Sequence, residues 1–159
     1  MNTVGPISVI CLLGVDLLGS GCRTVSLPPA DLAATGWETQ ETAAVWRPRA
    51  AAPELAGELL VAHHSNGSQF VQFSKQGLPL VTARTTTTAW EITSSLRSHG
   101  WSRPLGSTGP PDRVLWFQLR ELPPHPGSHS RWQRQTEPDG AWKLLNPRTG
   151  ETLIGLALP

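Results

Sequence analysis

Prolines and glycines fall at short intervals along this chain, and that spacing limits what it can fold into. There are fifteen of each in 159 residues. Proline removes a backbone donor and clashes with the preceding helical turn, while glycine loses more backbone entropy on ordering than any other residue. Both end elements more readily than they extend them, which favours turns and short strands over long helices. Gly57 to His63 and Gln69 to Ser74 are short runs rich in Leu, Val and Phe. Between them lies Ser65-Asn66-Gly67-Ser68, and Asn-Gly is a strong hairpin signal because both residues tolerate positive φ. Lys75-Gln76-Gly77 breaks the chain before Leu80 to Arg84, which faces Ala89 to Thr93 across a run of threonines. There Trp90 and Ile92 alternate with Glu91 and Thr93, the pattern of a half-buried strand.

Further along, Ser94 to Pro111 is polar and broken by Gly and Pro, so it reads as a long loop. The run Arg113 to Arg120 is short and apolar enough for a strand. The prolines just before it suit a helix start, and a short helix ending before Pro123-Pro124 is the favoured reading. Arg131 to Gln135 and Ala141 to Leu145 flank the turn Pro138-Asp139-Gly140. A second turn at Asn146 to Gly150 leads to a final strand over Glu151 to Leu158. The expectation is a mainly β domain over residues 54–159, an antiparallel sheet of about six to eight strands with one short helix on one face.

The N-terminus carries a different signal. Ile7 to Val15 is almost continuously apolar, and Leu17-Leu18 extends it towards Gly19-Ser20-Gly21-Cys22. A bilayer needs about 20 apolar residues, so this run is too short to span one. It fits the core of an export signal, with small residues where a peptidase binds. Leu18 to Cys22 resembles a bacterial lipobox, in which the cysteine is acylated before cleavage. Residues 1–21 are then a signal peptide and Cys22 is the lipid attachment point. Met1-Asn2-Thr3 lacks the usual positive charge, Asp16 interrupts the apolar run, and Gly19 stands where a lipobox usually has Leu. The alternative is a buried N-terminal helix or strand of a cytoplasmic protein, which Gly5, Pro6 and Gly14 suit poorly.

Cysteine usage favours export. The chain has only Cys11 and Cys22, so cleavage leaves a single thiol with no disulfide partner, and acylation would remove it. Residues 22–53, with Pro28-Pro29, Pro48, Pro53 and the Ala50–Ala52 run, read as a tether, within which Trp37 and Trp46 could anchor the segment to the domain.

Little in the sequence points to covalent chemistry. The net charge of +1 gives no electrostatic case for nucleic acid. His63 and His64 are adjacent in a strand and so face opposite sides. His125 and His129 are separated by Pro126-Gly127, which denies them a shared helix face. The carboxylates Glu58, Glu91, Asp112, Glu121, Glu137, Asp139 and Glu151 are scattered. The chain has no phosphate loop, nucleophile elbow or HExxH stretch. No enzyme activity, metal or cofactor is expected.

The order of elements carries a family resemblance. Phe70-Val71-Gln72-Phe73, Lys75-Gln76-Gly77-Leu78-Pro79 and Leu80-Val81-Thr82-Ala83 resemble the strand–loop–strand unit of the periplasmic lipoprotein carrier and outer-membrane lipoprotein receptor family (LolA/LolB-like). Arg113 to Leu119 before Leu122-Pro123 is similar to its short helix, and Asp139 to Lys143 with the closing strand to its last strands. The resemblance spans roughly Gly57 to Leu158. It implies a curved sheet, an incomplete barrel, whose cleft against the helix holds acyl chains. The candidate liners are Phe70, Phe73, Trp90, Ile92, Trp116, Phe117, Trp132, Trp142 and Leu144. Leu78 matches the exposed residue of the receptor's membrane-contacting loop.

Together these features give an expectation of a lipid-anchored protein of the cell envelope. It would sit on the periplasmic face of the outer membrane and bind lipid or lipoprotein acyl chains in lipoprotein localisation. The competing class is a structural adaptor whose filled sheet docks on an envelope protein complex.

Overall fold

The computed structural model describes residues 26–96, 100–104, 109–124 and 131–156. Cys11, Cys22 and the whole export signal lie outside the described residues, as do His125 and His129. The described residues form nine strands: β1 (Trp37–Arg47), β2 (Leu55–His64), β3 (Gln69–Lys75), β4 (Leu78–Thr85), β5 (Ala89–Ser94), β6 (Trp101–Pro104), β7 (Gln133–Thr136), β8 (Trp142–Leu145) and β9 (Thr152–Gly155). All pair antiparallel in one open, uncurled sheet of order β6-β5-β4-β3-β2-β1-β9-β8-β7, not the incomplete barrel expected, because the edge strands β6 and β7 pair with no strand beyond β5 and β8. The chain runs as a six-strand meander, crosses over, and returns as a three-strand meander whose last strand zips onto β1.

Two strands account for the count exceeding the expected six to eight. β1 occupies Trp37–Arg47, inside the stretch read as a tether over 22–53, so the sheet begins well before residue 54. β6 lies inside the stretch read as a loop over Ser94 to Pro111. The helix expected over Arg113 to Arg120 is a single 3-10 turn, Leu115–Gln118. Leu115, Trp116 and Phe117 are consecutive and all buried, which a helix lying on a sheet through one face does not permit.

The turns follow from local stereochemistry. Of the two residues Asn66 and Gly67, only Gly67 takes positive φ, at 88°. Gly67 N–H donates to the His64 carbonyl at 2.8 Å and His64 N–H to the Ser68 carbonyl at 2.9 Å, a type I turn closed by a glycine bulge. Gln76 and Gly77 instead both have positive φ, 53° and 76°, and form the mirror-image two-residue turn between β3 and β4. Just beyond, the β3–β4 register shifts so that Phe73 faces Val81 while Ser74 faces Pro79. A bulge of this kind accommodates a proline that cannot donate to the ladder.

One face of the sheet carries the core. Ala44, Trp46, Leu59, Val61, Val71, Phe73, Val81, Ala83, Trp90, Ile92, Trp142, Leu144 and Leu153 point to it from the seven adjoining strands β5 to β1, β9 and β8. The crossover 109–124 lies over this face and supplies Leu115, Trp116, Phe117, Leu119 and Leu122. Phe117 meets Trp90 edge to face at 5.4 Å, and Trp116 sits 4.9 Å from Trp46 and 5.9 Å from Phe73. Gln69 Nε2 donates to the Leu119 carbonyl at 2.6 Å, and Leu122 N–H donates to Gln40 Oε1 at 2.8 Å. The cover is therefore fastened by polar bonds as well as by packing.

On the opposite face the N-terminal residues run back along the sheet. The Arg84 guanidinium donates to the carbonyls of Leu27 and Pro28 and pairs with Glu91 on the neighbouring strand. Thr35 approaches His64 Nε2 through its carbonyl at 3.2 Å. Leu27 is buried. The segment from Ser26 thus belongs to the domain and is clasped to it.

Candidate functional site

The core beneath the crossover is filled at its centre and open at one end. That end is where β1 finishes, β2 begins, β3 turns into β4 and β5 finishes. There a cleft of about 240 Å³ separates the sheet from the start of the crossover. The sheet side contributes Trp46 and Pro48, Val81, Ile92, Thr93, Ser94 and Glu151, and the crossover contributes Arg113, Val114, Leu115 and Trp116. Leu96 and Trp101 complete the rim.

Position along the strands explains this composition. Val81 and Ile92 are inward residues near the ends of β4 and β5, and Trp101 lies opposite Ile92 on the edge strand β6. Trp46 is the hinge of the arrangement. Its ring stands edge-on to Phe73 at 5.8 Å and to Trp116 at 4.9 Å, and its indole N–H donates to Glu151 Oε1 at 3.1 Å. A buried indole needs such an acceptor, and Glu151 supplies it from the turn before β9. The same end of the sheet exposes large apolar side chains. Leu78 at the Gln76-Gly77 turn is 69% exposed, Leu96 50% and Trp101 53%.

Of the expected liners, Ile92 and Trp116 line the cleft. Phe73, Trp90, Phe117, Trp132, Trp142 and Leu144 are buried in the packed core. Trp132 directs its indole N–H to the Asp112 carbonyl at 3.2 Å, holding the start of the crossover. Phe70 pairs with Ala62 and Arg84, on the face away from the core. The sequence pattern pointed past Trp46, Leu96, Trp101, Leu115 and Arg113. Trp46 stands in the stretch read as tether and Leu96 and Trp101 in the stretch read as loop, so none of them carried a strand signal.

His63 lies at the far end of the core face, opposite Glu38 and Gln69. Burial lowers its pKa below the ordinary histidine value, with Arg120 acting in the same direction and Glu121 and Glu38 opposing. Its Nε2 is buried without a hydrogen-bond partner. His64 faces the other way and packs against Trp37 at 5.1 Å. Among the described residues no three His, Cys, Asp or Glu side chains converge on a point that could hold a metal ion. No described helix is long and apolar enough to cross a membrane. Compared with protein-family models, with curated proteins and with solved structures, the chain matches none.

Proposed function

We propose that this protein is a lipid-anchored envelope protein, held through acylated Cys22 at the periplasmic face of the outer membrane. In it the cleft bounded by Trp46, Trp101 and Trp116 shelters an apolar chain without covalent chemistry. The observation that carries this is the opening between sheet and crossover, with apolar side chains on both walls and edged by exposed Leu96 and Trp101. Burying a methylene there is worth about 0.8 kcal/mol, enough for a chain of several carbons to bind. On this proposal Leu78, exposed at the same end of the sheet, contacts a membrane or cargo surface. The fully buried Leu119, Leu144 and Phe73 favour the second reading, an adaptor with a filled core.

Metabolic labelling with a clickable fatty acid, comparing wild type with Cys22→Ala, tests the anchor: label on wild type alone supports it, and equal labelling of both removes it. Native mass spectrometry of the purified chain tests the cleft. Co-purified lipid supports a carrier, whereas a ligand-free protein that co-isolates stoichiometrically with an envelope protein supports the adaptor.

A further inference from the structure

We infer that the cleft takes a single-chain amphiphile with a compact anionic head, its chain between Trp46 and Trp116 and its head at Arg113. This rests on the proposal that the cleft holds an apolar chain, and it narrows that proposal in two ways. The first is size. An apolar cavity of about 150 Å³ takes one benzene, so by proportion a cleft of about 240 Å³ admits one chain of roughly ten carbons. The multiple acyl chains of a mature lipoprotein anchor do not fit, and the packed core behind Trp116 and Phe117 leaves no continuation for them.

The second is charge. Among the described residues two ionisable side chains line the cleft, Arg113 and Glu151. Glu151 accepts the Trp46 indole N–H on the sheet wall. Arg113 stands on the crossover wall, exposed, and makes no ion pair with a described carboxylate. The rim thus presents a solvated cation beside an apolar slot, the arrangement that a carboxylate or phosphate ending a short chain would complement. A fatty acid and a monoacyl phosphate share this chemistry.

The test is equilibrium titration of the full chain, made by cell-free synthesis so that Cys22 stays unmodified, followed by tryptophan fluorescence. Trp46, Trp101 and Trp116 surround the slot and report its occupancy. Ligands are used as monomers: hexanoate, octanoate, decanoate and tetradecanoate, then decanol, decyltrimethylammonium and decyl phosphate. Affinity is expected to rise about fourfold per methylene and to level off near decanoate. Decanoate is expected to bind about fivefold more tightly than decanol, and Arg113→Gln to erase that preference while leaving decanol unchanged. The decyl phosphate arm distinguishes a phosphate-ended ligand from a fatty acid.

Equal binding of decanoate, decanol and decyltrimethylammonium overturns the assignment of the head and leaves the apolar cleft standing. Affinity that keeps rising to tetradecanoate overturns the assignment of chain length. Absence of saturable binding by every compound removes the cleft proposal itself.

Discussion

At the scale of single residues, two positions bear weight out of proportion to their size. Gly155 on β9 faces Trp142 on β8, and a Cβ built there runs into the indole ring. Trp142 is almost fully buried, so the ring has nowhere to move. Gly155→Ala is expected to cost about 1–3 kcal/mol, read as a lowered urea midpoint at unchanged slope. The double variant with Trp142→Leu should cost less than the sum of the two single changes, because the clash vanishes with the ring. His63 is the other. Its folded pKa lies below the unfolded value of about 6.5, so the unfolded chain binds the extra proton as pH falls. Stability contributed by this site is complete above pH ~6.5 and is lost progressively below it, down through the folded pKa. Denaturation midpoints between pH 7.5 and 5.5 should therefore fall for the wild type and fall less for His63→Gln.

Among the elements, the strands of the central meander were legible because their alternation is clean. Val71 and Phe73 point inward between Phe70 and Gln72, and Trp90 and Ile92 between Glu91 and Thr93. β1 was not legible. Its inward positions run Glu38, Gln40, Thr42, Ala44 and Trp46, polar at the first because Glu38 is exposed and at the next two because they meet backbone groups of the return segments, Gln40 at Leu122 and Thr42 at Leu156. Hydrophobic periodicity is silent where a strand's partners are amides and carbonyls. The helix expectation over Arg113 to Arg120 failed for a related reason: Gln69 donates to Leu119 and, just beyond the run, Leu122 donates to Gln40, so the run is held across the sheet with three successive side chains buried. Of the candidate site, Ile92 and Trp116 were readable, while the rest of the cleft sits on elements that tertiary contacts alone define. Turns behaved similarly. Asn66-Gly67 carried the stronger signal, yet the turn that demands two left-handed residues is Gln76-Gly77. A non-glycine residue pays conformationally for that region, and Asn tolerates it better than Gln. Gln76→Asn is expected to stabilise the protein by a few tenths to about 1 kcal/mol, measurable as a raised urea midpoint.

For the molecule as a whole, the clasp of the Glu91-paired Arg84 guanidinium on the carbonyls of Leu27 and Pro28 acts as a compass needle. Arg84 sits at the end of β4 opposite to Leu78, and β4 is eight residues long, about 26 Å. From Pro28 back to an acylated Cys22 the chain can stretch about 20 Å at most. With the lipid on Cys22 as proposed, this short leash leaves from the end of the sheet opposite the cleft. On the lipoprotein proposal, the mouth of the cleft then opens away from the bilayer that bears the anchor, and its exposed Leu78, Leu96 and Trp101 face whatever approaches from the water. In anchored protein, lipids brominated on their chains should leave Trp101 unquenched, as judged by variants retaining or lacking that tryptophan. Arg84→Gln, by freeing residues 26–36 to lengthen the leash, should let the same lipids reach it. The bilayer to which this protein is moored would then be a different partner from the one that fills it.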